Sequence, residues 1–263
     1  RCDPSFKHKP LYIHMDMSIS GDKTGIAGVW TAGKKPPVPG EPPSKELYYR
    51  LAFSVSVKAP KGYQVSFEKN RQFIYWLKDQ GFNIKGISTD TFQSTDTGQS
   101  LQSKGFNYSV ISVDRVDSDH ICKPYQYLRT TIYDKRIVMY EAPLLTEELI
   151  GLQRDNNSGK VDHDPSGINS KDQADAVCGA VWNASRNADE FEYDFGETLD
   201  TVMTTNTDNG VAAQAQQLSI DFENEMRKML DTTPTKIAEP GKPAPEPAKT
   251  TFTPSVIDGI ILW

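Results

Sequence analysis

Leu11-Tyr12-Ile13-His14-Met15-Asp16-Met17-Ser18 is the stretch on which the reading of this chain turns. In an extended strand successive side chains point to opposite faces. Leu11, Ile13, Met15 and Met17 therefore share one face, and Tyr12, His14, Asp16 and Ser18 share the other. The alternation predicts a strand with one apolar face against a core. Its second face carries a carboxylate inside the most apolar early segment, where burial is costly unless the charge is solvated, paired or metal-bound. A solvated sheet face and a functional carboxylate are both open readings of Asp16.

Working outward, Ser20-Gly21-Asp22-Lys23 is turn chemistry and Thr24 to Thr31 a second strand, so the pair reads as a hairpin. Residues 33–45 hold five prolines and must be a loop, after which Leu47 to Lys58 resumes as a third strand. Ser66 opens a helix whose apolar residues Phe73, Ile74, Trp76 and Leu77 share a face and whose stop is Gly81. Ile84 to Thr89 is a short strand ending at Asp90, Thr91 to Lys104 a helix closed by Gly105, and Tyr108 to Val113 a strand. Residues 118–134 are predicted helical, 137–140 a strand, Leu144 to Arg154 a helix and 155–169 a polar loop. Asp172 to Arg186 is a last helix, with Ala174, Val177, Cys178, Val181 and Trp182 to one side. The order βββ-α-β-α-β-α predicts an α/β fold, a mixed sheet flanked by helices.

The 263 residues suffice for one large domain, or a domain with an appendage. No run of eighteen apolar residues occurs. The start at Arg1-Cys2-Asp3-Pro4, with neither Met nor an apolar segment, gives the expectation of a C-terminal piece of a longer protein, without a signal peptide. On that expectation residues 1–9 are a linker from a preceding region. Three scattered cysteines, Cys2, Cys122 and Cys178, fit a reducing compartment. The net charge of −6 averages two unlike parts: residues 189–263 hold 14 acidic and 5 basic residues, residues 1–188 hold 21 and 24. A mildly basic body permits a phosphate partner. The acidic tail, with six prolines in 234–254, is expected to be flexible, with a short helix near 212–230 carrying Leu218, Phe222, Met226 and Met229. Its apolar end, Val256 to Trp263, is a frayed terminus or a docking peptide.

Two further aspartates join Asp16 as candidates. Asp90 ends a strand, and the same position suits a helix N-cap. Asp172 follows Ser170, which with Gln173 makes a capping box, and shares a helix face with Asp175. A strand-centre, a strand-end and a helix-start carboxylate in one βββαβα chain can hold two hard cations roughly 4 Å apart, the arrangement for phosphodiester hydrolysis. Other chemistries fail. Gly21-Asp22-Lys23-Thr24 has Asp where a P-loop needs its second glycine, no paired Cys/His spacing suits zinc, and no G-x-S-x-G elbow exists.

Three pieces of the chain resemble a known family: Tyr12 to Gly25; Thr89-Asp90-Thr91-Phe92-Gln93-Ser94; and Lys160-Val161-Asp162-His163-Asp164-Pro165 followed by Ser170-Lys171-Asp172-Gln173-Ala174-Asp175-Ala176. Over residues 10–188 they are similar to the nuclease domain of tailed-phage large terminase subunits. The resemblance implies a ribonuclease H-like fold, close to Holliday-junction resolvases, and an Mg²⁺- or Mn²⁺-dependent endonuclease, with two ions per site, that cuts concatemeric double-stranded DNA before and after packaging. It implies Asp16 as the ligand between both metals and Asp90 and Asp172 as further catalytic ligands. Asp22 and Asp175 are then secondary acids, and His163 orients water or a phosphate. Lys34 and Lys35, in the proline-rich excursion, are candidates for DNA-backbone contact. Implied partners are an ATPase domain of the same full-length protein, the portal protein and the small terminase subunit, in the host cytoplasm and with no membrane. A non-catalytic DNA-binding or docking module of the same fold, and a resolvase-like nuclease, are the alternatives.

Overall fold

A computed structural model describes residues 6–18, 23–34, 46–58, 63–91, 94–164 and 170–187, and the short segments 235–236 and 261–262. In chain order the first elements are β1 (Leu11–Asp16), β2 (Thr24–Lys34), β3 (Leu47–Val57), β4 (Tyr63–Gln64), α1 (Phe67–Asp79), β5 (Ile84–Thr89), α2 (Ser94–Ser103) and β6 (Tyr108–Val110). Then come α3 (Lys123–Tyr133), β7 (Ile137–Val138), α4 (Pro143–Gly151), β8 (Leu152–Arg154), β9 (Val161–His163), α5 (Asp172–Arg186), β10 (Thr235–Lys236) and β11 (Ile261–Leu262). The main sheet runs β3-β2-β1-β5-β6. β2 is antiparallel to both β1 and β3, while β5 lies parallel to β1 and β6 parallel to β5. This is the mixed sheet flanked by helices that the order of elements predicts. Along the outer side of β3, β7 pairs at Tyr49 and Arg50 and β11 at Phe53 and Ser54, while β10 pairs with β4.

The alternation of β1 is realised on both faces. Leu11, Ile13, Met15 and Met17 are buried in one core with Phe73, Ile74 and Leu77 of α1 and Leu101 of α2. Tyr12 belongs to a second core, with Ala176, Val177, Ala180 and Val181 of α5 and Tyr125 and Leu128 of α3. The second face of β1 is therefore not a solvated one: Tyr12 and His14 are fully buried beneath α5. Burying nearly forty apolar side chains in two cores is what offsets the entropy of ordering the chain.

Elements with strong local signals begin and end where expected. Ser66 caps α1, accepting from the Lys69 N–H, and Gly81 ends it at φ +85°. Others differ for identifiable reasons. Helix α3 begins only at Lys123, because Asp117 gathers the N–H groups of Asp119 and Ile121 into a turn and Val116 bridges Cys122. The chain after Gly151 does not remain helical. It extends into β8, turns where the Asp155 carboxylate accepts from Asn157 and Ser158, and returns as β9. The N-terminal segment is already packed at Phe6, buried with its ring 5.3 Å from that of Trp30. Asp22, Lys35 and the expected tail helix lie outside the described residues, among which no helix is long and apolar enough to cross a membrane.

Helix α5 sits closer to the sheet than side chains normally allow. A Cβ on Gly25 would lie 1.9 Å from the Asp172 carbonyl oxygen, and one on Gly179 would lie 2.2 Å from the His14 ring. Neither neighbour is a yielding side-chain tip. Gly25→Ala and Gly179→Ala are each expected to lower unfolding free energy by about 1–3 kcal/mol, read from urea denaturation. Wild-type midpoints in both variants would refute this packing.

Candidate functional site

Strand pairing alone brings two of the predicted acids together. Met15 is in register with Thr89 across the parallel β1/β5 pair, so Asp16 and Asp90 follow at neighbouring strand ends. These are the carboxyl ends of parallel strands, where α/β sheets open a crevice. On the other side Asp16 is opposite Gly25 of β2, against which the start of α5 is pressed, and that adds Asp172 and Asp175. The result is felt at Asp16. Burial, followed by the charges of Asp175, Asp172 and Asp90, pushes its carboxyl up to about 8, with Lys171 opposing. All three aspartates predicted as ligands, and one of the two secondary acids, thus act on one point.

Their hydrogen bonds differ from those expected. Asp90 does not cap α2, which starts at Ser94; its Oδ1 accepts from the N–H and hydroxyl of Thr91. The Ser170–Gln173 capping box is not formed either. The residue preceding α5 is Lys171, which makes no side-chain cap, and Ser170 donates to Asp172 at 2.6 Å and to Glu148 at 2.8 Å. Glu148 of α4 takes over the cap from outside the helix. Its Oε2 accepts the Gln173 and Ala174 N–H groups, each at 2.9 Å. Burial raises the Glu148 carboxyl, against the pull of those amides. Within the nine residues of α4 only Leu145 and Glu148 are buried, so no apolar period marks this role in the sequence.

Lys171 is the second residue that spacing leaves unassigned, although it stands inside the quoted motif. Its Nζ lies 2.7 Å from Asp114 and 3.0 Å from Asp175, over the Tyr125 ring. Burial works against its charge, yet Asp175 and Asp114 hold its pKa above the ordinary lysine range. Asp175 also accepts from the Tyr125 hydroxyl, and burial, opposed by Lys171, pushes it up to about 6. His14, next along the face from Asp16, is pushed down to about 4 by burial against the influence of Asp90, with Nδ1 2.9 Å from the Ser88 hydroxyl.

The remaining candidates are placed differently. His163 is on β9, its Nδ1 2.9 Å from Asp162. Lys34 is not at a loop tip: it is half-buried at the end of β2, opposite Leu47. It lies nine residues along β2 from Gly25, roughly 30 Å at about 3.3 Å per residue, so the structure separates it from the acids.

In donor chemistry the acids suit a hard cation: they are carboxylate oxygens, and burial with three neighbouring carboxylates raises the pKa of Asp16. In geometry they are apart. Among the described residues no group of three or more His, Cys, Asp or Glu side chains converges closely enough to hold a metal ion.

No protein-family model matches the chain, and no curated protein matches it. Comparison with solved structures gives the following similarities. The large terminase nuclease from thermophilic phage G20c superposes with TM-score 0.46 at 12% identity, over 66% of this chain and 82% of that one. The HK97 bacteriophage large terminase gives TM-score 0.46 at 12% identity, over 66% of this chain and 39% of that one. The human cytomegalovirus terminase nuclease domain, Mn-soaked and inhibitor-bound, gives 0.35 at 15%, over 66% and 82%.

Asp16 ties the acids to stability. Its folded pKa of about 8 exceeds the unfolded 3.8, so its proton stabilises the fold fully below pH 3.8 and less and less as pH rises through 8. In EDTA, Asp16→Asn is expected to melt above the wild type at pH 8 to 9, with the gap closing towards pH 4, in differential scanning calorimetry. A pH-independent gap would show that Asp16 is not in this field.

Proposed function

We propose that the chain is the nuclease domain of a DNA-packaging motor, a metal-dependent endonuclease that cuts concatemeric double-stranded DNA at the start and end of packaging. The observation that carries the reading is Asp16: a carboxylate at a strand end, pushed up to about 8 by burial and three further carboxylates. Carboxyls raised this far by burial and like charge gather at functional sites, which supports the reading. The motif resemblance supplies the kind of reaction.

In this proposal Asp16, Asp90 and Asp172 hold two Mg²⁺ or Mn²⁺ ions, with Asp175 as a supporting acid. Ions held there would supply the Lewis acidity that lowers the pKa of an attacking water and stabilises the departing 3′ oxygen. The chain's own part is electrostatic and positional. Lys171, held by Asp114 and Asp175, keeps one positive charge beside the acids. Glu148 anchors the start of α5, and with it Asp172. Phosphate contacts position such a substrate without reading its bases, so cutting is expected to be indifferent to sequence. The ATPase domain, portal and small terminase subunit are the partners this role requires.

One observation favours the second reading, a DNA-binding module without catalysis: the carboxylates do not converge. The two separate in one experiment, relaxation and linearisation of supercoiled plasmid in EDTA, Mg²⁺ and Mn²⁺, beside Asp16→Asn. The nuclease reading expects metal-dependent cutting that the variant loses while remaining folded. An Asp16→Asn protein that cuts at the wild-type rate would remove the central assignment, and plasmid binding without cutting in either metal favours the module.

A further inference from the structure

Beside the acids, on the other side of one loop, lies a cleft of about 870 Å³ walled by residues 109–118, the start of α3 and the end of α5. Arg115, Lys123 and Arg186 line it, with Trp182, Asn183 and Ser112. Asp117, the single acid among the described residues that line it, is already engaged: it accepts from the Asp119 and Ile121 amides and pairs with Lys123 at 3.2 Å. Arg115 and Arg186 are exposed, and among the described residues neither has a carboxylate partner. Arg186 rests 5.8 Å over the Trp182 ring. The cleft is therefore cationic, with an aromatic and an amide wall, the combination that tracks a nucleic-acid backbone.

Its wall is shared with the acid cluster. Within residues 109–118, Ser112 and Arg115 face the cleft, whereas Val113 is buried in the core and Asp114 binds Lys171. The Ile111 N–H donates at 2.9 Å to the carbonyl of Thr89, the residue before Asp90. A chain of phosphates lying in the cleft is thus one loop away from the carboxylates.

We propose that this cleft holds the phosphate backbone of the nucleic-acid strand that the acid cluster acts on, with Arg115 and Arg186 each contacting a phosphate. The proposal deepens the nuclease reading, from which it takes the kind of ligand. Neither arginine belongs to the motifs that carry the family resemblance.

The test is fluorescence anisotropy of a labelled single strand and of a duplex of the same sequence, in EDTA and across a salt series. Loss of two phosphate contacts in Arg115→Gln/Arg186→Gln is expected to weaken binding about tenfold at moderate salt and to flatten the salt slope by roughly 1.4 for a single strand or 1.8 for a duplex. The probe that shows the loss identifies which form occupies the cleft. Lys104→Gln, on the α1/α2 face, is expected to bind like the wild type. Unchanged affinity and slope for both probes overturn the proposal, as does an equal loss in Lys104→Gln. Because EDTA prevents cutting, the two readings fail separately: a binding loss in a protein that never cuts plasmid leaves the cleft standing and removes the nuclease, and cutting without any binding loss removes the cleft alone.

Discussion

At Gly25 and Gly179 two missing methyl groups let α5 lie directly on the hairpin of β1 and β2. The helix backbone at Asp172 rests on Gly25, which is the register partner of Asp16, and the helix covers His14 at Gly179. Both the second hydrophobic core and the meeting of the acids follow from this contact. A helix set further out by one Cβ would leave Tyr12 and His14 half-wet and would carry Asp172 away from the strand ends. Packing and site are therefore one construction, because interiors at crystal-like density do not allow the helix to move independently of the strands.

The same contact creates an electrostatic problem. Four carboxylates act on a half-buried point at the end of β1, and Asp16 responds by holding a proton up to a pH of about 8. Two devices contain the repulsion. Lys171 is drawn in by Asp114 and Asp175 and retains its charge despite burial. Glu148, itself buried, is satisfied by two helix N–H groups and the Ser170 hydroxyl, so its charge is spent on the positive end of α5. What remains is an excess of negative charge at the crevice, which disfavours the fold and favours any cation that enters.

Much of the fold was legible because its signals are local. The period-two alternation of Leu11 to Met17 predicts the strand and which residues share its apolar face, and Leu11, Ile13 and Met15 do share one core, while the second core over Tyr12 appears only in the structure. Helix α5 spans Asp172–Arg186 as its apolar spacing predicts, and β5 ends at Thr89, immediately before Asp90. The hairpin of β8 and β9 was not legible: two three-residue polar strands have no apolar alternation to reveal them, and what makes them is an Asp155 turn. The placement of Lys34 was not legible either, because a lysine next to a proline-rich stretch looks like a loop tip, whereas pairing with Leu47 carries β2 on to that residue.

The sequence by itself determined the α/β class, the order of elements and the identity of three acids at strand and helix ends, because backbone periodicity and terminal residues are properties of neighbours in the chain. It also carried the family resemblance. Only the tertiary structure decided that a lysine and a glutamate belong with those acids, that Lys34 does not, and that the Ser170 hydroxyl serves Asp172 and Glu148 in place of a helix cap. Those outcomes depend on which charges share a buried volume. Residues as far apart as Asp16 and Asp175, or Glu148 and Gln173, come into one field only when α5 settles on the sheet.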